Sequence, residues 1–212
     1  MKLYLVRHAK SERNAGHNSH EDKLTEDGKE QARRLGKYFH NVKLDKIYCS
    51  TLERAKETLG EIKPYVKNVP LIYSKKIVEQ DIGIYRKYGK DDWENYFKDA
   101  VKSGKHIVDF KPKAGESMRE TYNRAKKFYN LLIKNHKNSS ILVVSHGIFL
   151  RYLILIILNL DILEARLFGL SNAAVSSFII DKKGKVKQYH IDDFHHLLIH
   201  GVKNQNKIKN IL

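Results

Sequence analysis

Short apolar runs that stop at polar residues alternate along this chain with longer segments of helical periodicity. Lys2-Leu-Tyr-Leu-Val6 is a β-branched and aromatic run ending at Arg7-His8, which predicts a strand that delivers polar side chains at its C-terminal end. Behind Thr25, a capping residue, acids fill the first turn and Ala32, Leu35 and Phe39 recur at helical spacing, so the spacing predicts a helix to Phe39. Lys46 to Ser50 reads as a second strand, and Leu52 to about Ile62 as a helix that Pro64 helps to end. Ser117-Met-Arg-Glu120 is a capping box; behind it Met118, Tyr122, Ala125, Phe128, Tyr129, Leu132 and Ile133 share one helical face. Ile141 to Val144 is continuously apolar, as in a strand buried on both faces, and it too stops at polar residues, Ser145-His146-Gly147. Ile148 to Asn159 is apolar nearly all round and reads as a buried helix, although periodicity alone leaves a strand open. Val175–Ile180 and Val186–Ile191, separated by Lys182-Lys-Gly184, resemble a hairpin.

Strands alternating with helices of a dozen residues imply βαβ units. The expected fold is α/β: a three-layer sandwich with a mostly parallel central sheet and helices on both faces. A length of 212 residues suits a single domain over 1–212. The stretch 84–112, rich in Tyr, Lys and Trp with one helical segment near Asp92 to Lys102, is expected to be a small helical lid insertion.

Composition narrows the class. Hydrophobic residues at 42% and charged residues at 30% exclude a disordered chain. The apolar run Tyr152–Leu158 is far short of the ~18 residues that cross a bilayer. No basic start followed by an apolar run and a small-residue cleavage site is visible, so the expected location is cytoplasmic. The single cysteine, Cys49, lies in an apolar run and reads as a buried strand residue rather than a catalytic thiol. The net charge of +16 favours anionic partners, phosphorylated metabolites or RNA among them. The lysines are spread rather than clustered, which favours solvated faces over a nucleic-acid surface.

Three strand ends or following turns carry Arg7-His8, Arg54 and His146, groups that could converge on one anion site. An arginine fork matches phosphate oxygens, and two arginines roughly neutralise the ~1.5 to 2 charges of a phosphate monoester. Histidine supplies a nucleophile or an acid near neutral pH. Spacing alone leaves this weak, since a histidine after a strand is more often structural.

The segment Leu5-Val-Arg-His-Ala-Lys-Ser-Glu-Arg-Asn14 resembles the opening motif of the histidine phosphatase superfamily, phosphoglycerate mutase-like branch 1, with Ala9 in place of the commonest glycine. Leu24-Thr25 with Gly28, Ser50-Thr-Leu-Glu-Arg-Ala-Lys-Glu-Thr58, Ala114-Gly-Glu-Ser117, Val144-Ser-His-Gly147 and Asn172 continue the resemblance in the family's order. It implies that His8 attacks phosphorus and becomes phosphohistidine, that Arg7, Arg54 and His146 hold the equatorial oxygens, and that Asn14 and Gly147 line the same pocket. It places Glu79 in the family's acid position, with Asp81 as a rival two residues on. His8 should then be neutral and His146 useful as an imidazolium, so that their pKa values are expected to be pushed apart. The expected reaction is metal-independent hydrolysis of a phosphate monoester on a small phosphorylated substrate, without a cofactor; a homodimer is one expected assembly.

After Gly83 the chain departs from the family, with Ile84-Tyr-Arg-Lys-Tyr-Gly89 where a Trp-Glu-Gly-like continuation is common, which affects the substrate pocket rather than the phosphate pocket. Phosphoglycerate mutase-type transfer is the alternative, but an Arg-His-Tyr-Gly-like stretch and a longer insertion are not visible. A basic RNA-binding protein without activity is another, resting on charge alone. His195, His196 and His200 could place imidazoles on one helical face toward a metal. No cysteine or acid follows them, and a solvated or packed tail is favoured, so no metal site is expected.

Overall fold

The computed structural model describes residues 1–12, 22–86 and 92–198. Six strands form one sheet: β1 (Lys2–Arg7), β2 (Lys46–Ser50), β3 (Leu71–Ser74), β4 (Ser140–Ser145), β5 (Val175–Ile180) and β6 (Val186–Asp193). Their order is β3-β2-β4-β1-β5-β6; β4 is parallel to β1 and β2, β2 to β3, and the β5-β6 hairpin is antiparallel and adds to β1. The C-terminal ends of β1, β2, β3 and β4 therefore open on one edge, where open α/β sheets place their ligands.

Side-chain alternation divides the sheet between two cores. Leu3 and Leu5 of β1 and Ile141 and Val143 of β4 face α4 (Met118–Asn135) and α5 (Gly147–Leu158). Val6, Ile47, Cys49, Leu142 and Val144 face α1 (Glu26–Phe39) and α2 (Glu53–Ile62). Both faces of β4 are buried, which is why Ile141 to Val144 shows no polar alternation. Truncating Leu142, fully enclosed, would cost about 2–5 kcal/mol from lost burial and the cavity left behind. The expected three-layer α/β sandwich is what the chain forms.

The local signals act as expected. Thr25 Oγ1 caps α1 by accepting from Gly28 N at 3.1 Å. Gly28 is required there, because a Cβ would lie 2.0 Å from the Lys10 carbonyl oxygen. Ser117 Oγ accepts from Glu120 N at 3.1 Å while Glu120 accepts from Ser117 N at 2.9 Å, completing the capping box. The ambiguous run after His146 is a helix, α5, closed by Asn159 in the left-handed region (φ 56°). Cys49 is fully buried and burial pushes its thiol up to about 12, so it is an inert packing residue. α3 (Asp92–Lys102) occupies the stretch expected to be helical and builds a separate small cluster, with Tyr96 packed against Ile82, Tyr85 and Phe110. β3 was not expected from the sequence: it is four residues long, half exposed and paired only with β2, so it carries no burial pattern to read.

Candidate active site

β1 ends in Arg7 and delivers His8 to the open edge, where the imidazole is 3% exposed. Its Nδ1 lies 2.8 Å from the Ala9 carbonyl oxygen, which only accepts, so the proton is on Nδ1. Nε2 then carries the lone pair and accepts from Arg54 Nε at 3.0 Å. The loop before β5 clasps this strand end: Asn172 donates to the His8 carbonyl at 3.0 Å, and Ala173 N reaches the Arg7 and His8 carbonyls at 3.2 and 3.3 Å. Arg7, partly buried, donates through Nη1 to the Leu170 carbonyl of the same loop, while its Nε is enclosed and has no protein partner. Asp192 anchors the loop, accepting from Ser171 N at 2.5 Å and Ser171 Oγ at 3.0 Å. Ala173 and Asp192 both adopt positive φ, 59° and 57°, strain that these bonds hold in place.

Arg54 lies in the first turn of α2, directly after β2, and pairs through Nη1 with Asp22. His146 follows β4 as the N-cap of α5; its Nε2 is 2.7 Å from Ser50 Oγ at the end of β2, and its ring centre is 5.1 Å from that of His8. Gly147 packs on Arg7, since a Cβ there would be 3.3 Å from Arg7 Nε.

Glu79 reaches the site from the segment after β3. Its carboxylate accepts from Ile148 N at 3.2 Å and Phe149 N at 3.1 Å, the first-turn amides of α5, where the helix end favours negative charge. Two groups fix its backbone. Ser145 Oγ donates to the Ile77 carbonyl at 2.6 Å, and Arg124, paired with Glu116 at 2.7 Å, donates to the Val78 carbonyl at 2.8 Å. Asp81 points elsewhere: it accepts from Gly83 N and pairs with Arg86 at 3.1 Å, half exposed.

Burial, then the charges of Arg54 and Arg7, hold the His8 imidazole well below its ordinary 6.5. His146 is lowered in the same direction, by burial first and then by Arg54, His8 and Arg7. A neutral His8 agrees with what was expected, but His146 is lowered in the same direction rather than held as an imidazolium, because the two rings share one desolvated pocket and one pair of cations. Burial brings Arg7 down to about 10, which leaves it charged at neutral pH.

Arg7, His8, Arg54, Glu79 and Gly147 line one cleft of about 460 Å³, together with Asp22, Ile82, Arg86, Trp93, Arg151 and Leu170. His146 lies beneath it, against His8. Asn14 and His200 lie outside the described residues. His195 pairs with Asp193 at 2.8 Å and His196 with the Ala173 carbonyl at 3.0 Å, so these two turn to different partners rather than toward a shared ion. Sequence reasoning did not single out Arg151, Asp192 or Arg124. For Arg151 a signal existed, one charge in the otherwise apolar run Ile148-Phe-Leu-Arg-Tyr-Leu153.

A neutral buried histidine with one unprotonated nitrogen, two partly buried arginines and a carboxylate in the same cleft define an enzyme site for phosphoryl transfer to nitrogen. The model of the histidine phosphatase superfamily (branch 1) matches residues 3–193, and the chain belongs to that family. Phosphoserine phosphatase 1 of Hydrogenobacter thermophilus is 33% identical over 192 residues, 88% of this chain and 90% of that protein. A 2,3-bisphosphoglycerate-dependent phosphoglycerate mutase of Parvibaculum lavamentivorans is 28% identical, over 87% of this chain and 92% of that one. The structure of a phosphoserine phosphatase variant from Entamoeba histolytica, in complex with phosphoserine, matches with a TM-score of 0.72 and 26% identity, covering 92% of this chain and 98% of that one. Family and relatives support a phosphatase, and no helix among the described residues is long and apolar enough to cross a membrane.

Proposed function

We propose that the protein hydrolyses phosphate monoesters of small metabolites through a phosphohistidine on His8, with residues 1–212 acting as one domain and 84–112 as its lid. The observation that carries this reading is the fixed tautomer of His8, with Nε2 turned to Arg54 in a cleft that Glu79 also lines. The phosphoryl group of the substrate faces Arg7 and Arg54, and the Arg54 donor passes from Nε2 to a phosphate oxygen, freeing the lone pair. His146, Gly147 and Asn14 complete the phosphate pocket. Nε2 attacks phosphorus, the bond to the alcohol oxygen breaks, and Glu79, which takes up a proton as the phosphate enters beside it, gives that proton to the leaving oxygen. A water that Glu79 deprotonates then attacks the phosphohistidine, releasing inorganic phosphate and neutral His8. No cofactor or metal is assigned a step.

The test is turnover of phosphorylated amino acids, sugars and nucleotides and of an aryl phosphate in chelator, with the parent and with His8→Ala. Activity in the parent and its loss in the variant are expected; an inert parent, or activity that survives the substitution, overturns the reading. Isomerisation of phosphoglycerate with a bisphosphorylated primer, faster than phosphate release, would move the assignment to a mutase. A cytoplasmic location, a homodimer and no nucleic-acid partner complete the proposal. Scattering that gives a monomer would remove the second of these, and salt-sensitive RNA binding the third.

A further inference from the structure

Arg151 is the single charge in α5, a helix whose other side chains are almost all buried and apolar. It lies one turn after Gly147, and helical side chains lean toward the N-terminus, which directs it to the open edge of the sheet where the cleft lies. Its Nη1 donates to the carbonyls of Ala165 at 2.9 Å and Phe168 at 3.3 Å, which hold the guanidinium at the cleft wall beside Gly169 and Leu170. Carbonyls orient a guanidinium but do not neutralise it.

The arginines around the cleft divide in two. Arg54 pairs with Asp22, Arg86 with Asp81 and Arg124 with Glu116, whereas Arg7 and Arg151 pair with no carboxylate among the described residues. Burial first disfavours the charge on Arg7, Glu79 offsets part of this, and the cation of Arg151, which lines the same cleft, adds to it. Such an arrangement costs free energy in the unliganded protein and is relieved when anions lie near both. The phosphoryl group accounts for Arg7 and Arg54. One unpaired guanidinium is left, with a fork that suits a single carboxylate; a second phosphate dianion would need a second unpaired cation.

We propose that Arg151 binds a carboxylate of the substrate, so that the enzyme acts on phosphate monoesters of small hydroxy acids or hydroxy amino acids in preference to phosphorylated sugars or nucleosides. This rests on the reading above that the phosphoryl group sits against His8. A cleft of about 460 Å³ suits a substrate of that size.

O-Phosphoserine and O-phosphoethanolamine differ by the carboxylate alone and form the probe pair. kcat/KM is measured for both with the parent, Arg151→Met and Arg151→Lys. The parent should prefer phosphoserine at least about tenfold, and Arg151→Met should lower kcat/KM on phosphoserine by ~10- to 100-fold, the worth of a charge-assisted contact. Phosphoethanolamine should change by less than about threefold, and Arg151→Lys should restore part of the preference by keeping the charge. A parent without preference, or equal losses on both probes, overturns the assignment. Calorimetric binding of the same pair to His8→Ala, with and without Arg151→Met, separates the two readings. A parent that turns over other phosphate monoesters but neither probe overturns this inference, whereas a parent inert on the whole panel above overturns the hydrolase reading. If binding shows no dependence on the carboxylate and Arg151, this inference fails whatever the turnover.

Discussion

His8 and His146, 3% and 0% exposed, leave the ends of the adjacent parallel strands β1 and β4, and neighbouring backbone groups are tied to the sheet, to α2 through Thr58, to α5 or to the loop that Asp192 anchors. Across the cleft, Arg86 and Asp81 are half exposed, and the wall they belong to rests on its own aromatic cluster of Tyr85, Tyr96 and Phe110. The floor is thus part of the main cores, and the wall is a satellite of them. The groups proposed to meet phosphorus stand where packing leaves little room for an alternative position. The groups of the wall stand on elements that can change without disturbing the sheet, whereas Arg151 reaches the same cleft from α5, a helix of the main core.

The largest effect that would break this contrast is on proton transfer. Glu79, seated on the amides of α5, should lose ~10²- to 10⁴-fold in kcat on alkyl phosphates as Glu79→Gln, and much less on an aryl phosphate whose leaving group needs no proton. Asp81→Asn, on the wall side, should stay within about threefold of the parent. If the two substitutions exchange these outcomes, proton transfer belongs to the wall and the division fails.

A smaller effect sharpens the floor itself. Both histidines are held neutral, below their ordinary 6.5, so the unfolded chain takes up protons that the folded one refuses. Their contribution to stability is therefore complete above pH 6.5 and is lost as the pH falls from there toward their lowered values. The slope should approach about 1.4 kcal/mol per pH unit for each ring. Thermal unfolding between pH 8 and pH 5 measures it, and His146→Asn should make the decline shallower. An unchanged slope in that variant would mean that the ring is charged in the folded protein.

What could be read in the sequence divides along the same line. Strands β1, β2 and β4 and helices α1, α4 and α5 announce themselves because burial on one or both faces, or a cap, leaves a periodic or continuous apolar signature, as at Ile141–Val144 or Ser117–Glu120. Arg7, His8, Arg54 and His146, which the fold brings together, could be singled out because each lies at the end of such a strand or in the turn that follows and stands in a motif that resembles the family's. β3 escaped because an exposed edge strand of four residues has no hidden face. Arg124 and Asp192 escaped for another reason. Arg124 acts on the carbonyl of Val78, 46 residues away, and Asp192 on Ser171, 21 residues away, and no local pattern records a partner chosen by tertiary folding. The shared direction of the two histidine pKa values belongs to this second kind, since it depends on a pocket that only the folded chain encloses.

The most direct measurement is to mix the enzyme rapidly with a labelled phosphate monoester, quench in base, and locate the label by peptide mapping. Phosphate is expected on His8, stable in base and released in acid, appearing and decaying at rates that match turnover. Label on any other residue, or full turnover with none retained on His8, would contradict it.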